Sequence, residues 1–320
     1  MTVTQPAMIQ PAIATLTLNP AIDHTATIAE FQAGEVNRVT GEQVDPGGKG
    51  INVASFLAEA GLTVTATGIL GRDNAGIFAD LFDRKGIQNQ FVMIPGRTRT
   101  NIKIIDSVQN QVTDINFPGL TPSASAIDQL YGTIATLVPT HDWFILSGSL
   151  PATVAPSIYY DWIKFLKAQG KTVILDASGA SLQQAIPTAP FAIKPNLEEL
   201  QEVLGRSLPT LGDRLAATQS LVSQGISTVI LSLGAEGALF VDASTAIWAC
   251  PPAIEVVSTV GAGDAMVSGF VVGQLRGLQL SDCARLATAF SMGALSQIGA
   301  RLPPKEVLES FAERVEVKIL

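Results

Sequence analysis

Short apolar runs rich in branched residues recur along the chain, each separated from the next by a stretch of helical length. Ala14–Leu18, Val64–Leu70, Trp143–Leu146, Thr172–Leu175 and Thr228–Leu233 read as strands. Between them, Ile51–Ala60, Ala75–Arg84, Ile127–Leu137, Ser157–Gln169 and Leu211–Gln224 read as helices. Strands that are apolar almost continuously must be covered on both faces, and helical connections run them parallel. The pattern therefore predicts an α/β protein with a three-layer α/β/α architecture. From Gly263 onward the chain reads as two or three helices.

Two stretches break the alternation. From about His24 to Val44 there are short β-like pieces and no helix. From about Gln90 to Phe117 three strand-like runs, Phe91–Ile94, Asn101–Ile105 and Val112–Phe117, are separated by turn signals at Pro95-Gly96 and around Gln109-Asn110. Strands joined without helices pair as antiparallel hairpins, so the two stretches are expected to meet as a small second sheet, a lid over a cleft. Edge hairpins on the main sheet fit the same pattern. The expected organisation is an extension over residues 1–13, outside the fold, and one α/β domain over 14–320 with its lid built from about 24–45 and 90–117.

Composition narrows the classes. The chain has 320 residues, 47% of them hydrophobic and only 15% charged, with a formal net charge of −8. So apolar a sequence is not disordered. Its acidic balance, with no basic block, disfavours nucleic acid and anionic membranes as partners. The low charge also suits a face buried in a homodimer. Two cysteines, Cys250 and Cys283, make no disulfide framework and no metal set. The uncharged runs over 1–22 and 215–235 are broken by prolines or by polar residues, and no basic segment precedes an apolar one at the N-terminus. A cytoplasmic protein is expected.

The chemistry concentrates in a few segments. In Ser258-Thr-Val-Gly-Ala-Gly-Asp264, small residues lead a loop into an apolar helix, where backbone amides and the helix N-terminus favour an anion. Asp264 would repel a phosphate in a simple binder. In a phosphoryl transferase it can accept a hydroxyl proton while the amides of Gly261, Ala262 and Gly263 hold developing charge. An N-capping Asp on a buried helix reads equally well. Asp45-Pro-Gly-Gly-Lys-Gly-Ile-Asn52 fails the Walker A spacing, and Met266 spoils a dinucleotide fingerprint. Its Gly47-Gly48 pair lets a ligand approach the backbone, with Asn52 able to bond a hydroxyl. Arg99, Asn101 and Lys103 alternate on one strand face, suiting a phosphate beside a hydroxyl, or merely a solvated surface. Asn196 and Glu199, three apart at a helix start, can reach one hydrated Mg²⁺ or act as ordinary first-turn residues. The turn after the last strand, Ser232 through Leu233, Gly234, Ala235 and Glu236 to Gly237, can face nucleotide phosphates or simply reverse the chain. His24 and His141 form no convincing nucleophile or metal set.

In this order the segments resemble the ribokinase-like PfkB family of sugar kinases, over about residues 14–300. The motifs Gly47-Gly-Lys-Gly-Ile-Asn52, Ser147-Gly-Ser-Leu-Pro151, Lys194-Pro-Asn196, Ser232-Leu-Gly-Ala-Glu-Gly237 and Gly261-Ala-Gly-Asp264 carry the likeness. Val36-Asn-Arg38 and Arg97-Thr-Arg-Thr-Asn101 point to its hexose-phosphate branch. The resemblance implies ATP-dependent phosphorylation of fructose 1-phosphate at the 6-hydroxyl, with Mg²⁺. It implies Asp264 as base and Gly261, Ala262 and Gly263 as anion hole. Asp23, Gly47, Gly48, Asn52 and Ser149 fall on sugar contacts, and Arg99, Lys103 and Arg38 on the substrate-phosphate region. Lys194 and Ser232–Gly237 fall on nucleotide contacts, and Asn196 with Glu199 on the metal element. The family's lid often serves as a dimer interface. Pro46 and Ala265 depart from the residues usual at their positions without touching the base. A tagatose-6-phosphate or fructose-6-phosphate kinase, or an inactive sugar-phosphate-binding regulator, remain alternatives.

Overall fold

The computed structural model describes residues 12–109 and 111–320. Strand β1 (Ala12–Thr17) leads through β2 (Ala21–Thr27) and β3 (Gly41–Gly47) into helix α1 (Lys49–Glu59). Strand β4 (Val64–Gly71), helix α2 (Gly76–Lys85) and strand β5 (Gln88–Ile94) form the next unit. A hairpin of β6 (Thr100–Asp106) and β7 (Gln111–Ile115) precedes α3 (Ala124–Leu137). Alternation resumes with β8 (His141–Ser147), α4 (Ile158–Ala168), β9 (Thr172–Asp176), α5 (Gly179–Ala185) and β10 (Ala192–Ile193). Then come α6 (Leu197–Leu204), α7 (Leu211–Ser223), β11 (Thr228–Ser232), β12 (Ala238–Val241) and β13 (Ala246–Cys250). Helices α8 (Ala262–Leu275), α9 (Leu280–Leu295) and α10 (Lys305–Arg314) and strand β14 (Glu316–Ile319) close the chain.

Ten strands form one sheet in the order β14-β13-β12-β11-β10-β9-β8-β1-β4-β5. It is parallel from β11 to β5, and the pairings β11–β12, β12–β13 and β13–β14 are antiparallel. Alternate residues feed two separate cores. Ile13, Ile145, Ile174 and Ile230 pack with Ile51 and Phe56 of α1, Phe78 of α2 and Phe270 of α8. Ala14, Phe144, Val173 and Val229 pack with Leu130 of α3, Trp162 of α4 and Leu221 of α7. Each large side chain so buried stabilises the fold by roughly 1.5–3 kcal/mol, which is why both faces of these strands are apolar. Strand order reverses between β1 and β8, so their C-terminal ends open the crevice where open α/β sheets place ligands.

The second sheet exists, in the order β3-β2-β6-β7, but with different membership from the expected one. Phe91–Ile94 lies in β5, parallel to β4 at the edge of the main sheet. The reason is α2: a helical crossover returns β5 beside β4, and Val92 and Ile94 are buried there. Nor is the small sheet wholly antiparallel, because β2 pairs with β6 in parallel. The chain leaves the main sheet after β1 and again after β5, and both excursions start in the same direction. β1 begins at Ala12, inside the extension expected to end at residue 13; the rest of that extension, residues 1–11, lies outside the described residues, as does Asn110 of the expected turn. No helix among the described residues is long and apolar enough to cross a membrane.

Candidate active site

Asp264 sits in the first turn of α8, 5% exposed. Gly261 caps that helix with φ +75°, a left-handed conformation that side chains rarely adopt, and among the described residues no side chain caps the leading amides. The N-capping reading of Asp264 is not what its carboxylate does. Asn52 Nδ2, from α1, donates to Asp264 Oδ2 at 2.8 Å. Burial, reinforced by the nearby Asp176 carboxylate, pushes Asp264 up to about 6, against the pull of Lys49, the Asn52 bond and Lys194. A carboxylate poised there is ionised at neutral pH and still basic enough to take a proton.

A second carboxylate lies close by that the motifs did not flag. Asp176, the last residue of β9, is wholly buried and accepts Lys49 Nζ on Oδ1 at 3.0 Å, with Lys194 Nζ 3.5 Å from the same oxygen. Burial pushes Asp176 up, and the two lysines outweigh it, holding the group below the usual carboxylate range. Lys49 is raised above its ordinary value by Asp176, Asp264 and Glu199, which overcome its own desolvation. A Cβ on Gly263 would stand 3.2 Å from Lys194 Nζ, so that ammonium lies against the start of α8. The only sequence signal for Asp176 is an acid closing an apolar strand at the ligand end of the sheet.

The residues expected on the sugar side gather between the small sheet and the main sheet. Asp23 lies on β2, where Asn101 Nδ2 of β6 donates to its Oδ1 at 3.2 Å. Burial raises Asp23, with Asn101, Lys103 and Arg99 acting against it. Asp23, Thr25, Asp45, Asn52 and Val260 line one small cleft between lid and body. A side chain on residue 47 would run into Asp23, and Gly48, with φ +123°, packs α1 against Thr17 and Pro20. Ser149 Oγ accepts from Asn19 Nδ2 at 3.1 Å at the adjacent loop.

The basic residues divide. Lys103 Nζ pairs with Asp114 Oδ1 of β7 at 2.5 Å. Arg99 donates to the main-chain oxygens of Asn19, Pro20 and Phe117 at 3.1, 3.3 and 3.0 Å, so its guanidinium is spent on holding loops together and not on a free phosphate grip. Arg38 is exposed in the loop between β2 and β3, with Val36 and Val39 exposed beside it.

On the nucleotide side, Ser232 bridges in parallel to Asn196, and its amide donates to Pro195 O at 3.1 Å. The turn Gly234–Glu236 and Gly237 follow, with Glu236 paired to Arg214 at 3.0 Å. Asn196 and Glu199 form a reciprocal capping box on α6: each side chain accepts the other's amide at 2.8 Å. Those bonds use Asn196 Oδ1 and one of the two Glu199 carboxylate oxygens, Oε2. Among the described residues no cluster of three or more His, Cys, Asp or Glu could hold one. His24 pairs with Glu42, and His141 is buried against Thr65 and Thr140; neither faces the site.

The chain is 45% identical over 309 residues to the 1-phosphofructokinase of Rhodobacter capsulatus, covering 96% of this chain and 98% of that one. It is 38% identical over 308 residues to the 1-phosphofructokinase of Vibrio cholerae, covering 96% and 97%. Among solved structures, phosphofructokinase-2 from Escherichia coli in complex with substrates and products superposes with a TM-score of 0.87 at 29% identity, covering 94% of this chain and 98% of that one. The model of the pfkB family carbohydrate kinases matches residues 16–307, and the chain belongs to that family.

Proposed function

We propose that this protein transfers the γ-phosphoryl group of ATP to the 6-hydroxyl of fructose 1-phosphate, giving fructose 1,6-bisphosphate and ADP. One observation carries the reading: Asp264, a buried carboxylate raised to about 6, stands in the first turn of a helix that Gly261 caps without a side-chain bond, close to two lysines. A sensor of sugar phosphates has no need of a base there. The 1-phosphofructokinase name shared by relatives across nearly the whole chain supports the choice of substrate.

In this reading the sugar lies between Asp23 and Asn52, with Gly47, Gly48 and Ser149 along its path. Lys103, and Arg38 from the exposed loop, meet its phosphate, while Arg99 shapes the loops around it. The sugar oxygen attacks the γ-phosphorus, the bond to the ADP oxygen breaks, and the hydroxyl proton passes to Asp264. The amides of residues 261–263 hold the charge that grows on the transferring group. Lys194 and the turn 232–237 face the nucleotide phosphates. The capping box leaves Glu199 suited to touch Mg²⁺ through water and unsuited to caging it. The metal, carried by the triphosphate, supplies charge neutralisation.

The small sheet with its flanking loops is the lid and also a dimer face: Val36 and Val39 in the loop between β2 and β3, Val112 and Ile115 on β7 and Phe117 just beyond it expose apolar surface. Sedimentation of the purified protein checks the dimer. The test of the reaction is ADP release with MgATP against fructose 1-phosphate, fructose 6-phosphate and tagatose 6-phosphate. A kcat/KM far highest for fructose 1-phosphate supports the reading. Preference for a 6-phosphate keeps Asp264 as base and overturns the substrate. Binding without turnover would make the protein a regulator.

A further inference from the structure

We propose that Asp176 is a positioning residue for phosphoryl transfer, clamping the ammonium groups of Lys49 and Lys194 side by side at the mouth of α8 so that both face the group moving toward Asp264. The inference deepens the kinase reading and rests on it.

Three observations support it. The first is that, among the described residues, the side chain of Asp176 bonds to nothing but those lysines: Oδ1 takes both, and Oδ2 has no protein partner. Thr17 Oγ1 and Ser147 Oγ, in register with it on the neighbouring strands, are likewise buried without partners, so no local network explains the carboxylate. A wholly buried carboxylate is costly unless paired, which ties its presence to the lysines.

The second is topology. Lys49 opens α1, Lys194 follows β10 and Asp176 ends β9, so all three side chains come from the C-terminal edge of the sheet. Lys194 Nζ stands against Gly263, one residue before the proposed base.

The third is charge. Lys49, Lys194, Asp176 and Asp264 sum to zero with both acids ionised. When Asp264 takes the hydroxyl proton the cluster becomes positive by one, as the departing hydroxyl proton leaves negative charge on the reacting oxygens. Two lysines without Asp176 would repel each other and splay, losing the geometry that preorganised electrostatics requires.

The experiment compares Asp176→Asn, Lys49→Met and the double variant. Asp176→Asn should lower kcat about 10²-fold, as loss of an oriented donor does, with the KM for fructose 1-phosphate unchanged. The double variant should be about as slow as the slower single one, because both changes break one device.

Wild-type kcat in Asp176→Asn, or losses that multiply in the double variant, overturn the proposal. Should Asp176→Asn not fold, Lys49→Met leaves Asp176 balanced by Lys194, and an undiminished kcat there overturns it equally. Acetylation footprinting of the lysines needs no turnover: Lys49 should react several-fold faster in Asp176→Asn than in wild type, and equal rates sink the clamp. Wild-type protein inactive on every sugar phosphate would refute the kinase reading, a result distinct from an active wild type with an equally active variant.

Discussion

Asn52 and Asp264, 212 residues apart in sequence, share a 2.8 Å hydrogen bond that joins the start of α1 to the start of α8. Burial raises the Asp264 pKa while the bond lowers it, and the balance near 6 suits the general base proposed for it. The rate should therefore depend on this one proton.

For wild-type protein we expect kcat/KM for fructose 1-phosphate to rise with pH through a single ionisation near 6 and to flatten above it. Asn52→Leu removes the bond that favours the ionised form, so its limb should lie at higher pH. A pH–rate profile from 5 to 9 decides this. A limb unmoved by the substitution would detach Asn52 from the base.

Asp264→Asn should lower kcat by about 10²–10⁴-fold, the usual worth of a general base, with substrate KM values little changed. The same change should stabilise the fold. Raising a carboxyl from 3.8 to about 6 makes its ionised form cost about 3 kcal/mol in the native state. The sign follows from linkage: stability from this group is complete below the unfolded value and is lost as pH rises through about 6. Denaturant melts should thus show variant and wild type level near pH 4, the variant more stable above pH 6, and a constant gap beyond.

Lys103→Met should raise the KM for fructose 1-phosphate about 10–100-fold, the loss expected of one charged hydrogen bond, and leave the KM for ATP unchanged. Arg99→Ala should behave differently. Its bonds to Asn19, Pro20 and Phe117 hold lid and body loops together, so thermal stability should fall along with sugar affinity. Arg99→Ala with native stability and only a weaker sugar phosphate would restore the direct grip.

Asn196→Ala breaks the α6 capping box and should cost about 1 kcal/mol of stability. Glu199→Gln keeps an oxygen for the Asn196 amide and should leave stability nearly intact while raising the Mg²⁺ needed for half-maximal rate. Unfolding curves and a Mg²⁺ titration separate the two roles.

Much of this protein is legible from local pattern. Strands such as Val64–Leu70, short, free of charge and rich in branched residues, point to a covered parallel sheet, and Gly261 to Asp264 at the start of an apolar helix marks a candidate anion site, with an N-capping Asp reading equally well. Those readings rest on neighbours within a few residues, where backbone geometry and periodicity act. The sorting of Phe91–Ile94 into the main sheet depended on where the α2 crossover delivers the strand, which composition alone does not state.

Tertiary structure alone decided what each polar side chain meets. It set Asp176 between Lys49 and Lys194, turned Asn52 onto Asp264, and spent Arg99 on three carbonyls and Asn196 with Glu199 on a helix cap. A buried charge is stable only with its partner, and the partners here lie up to 212 residues away. Residue type announces that such a group needs a partner; only the folded chain brings one within 3 Å.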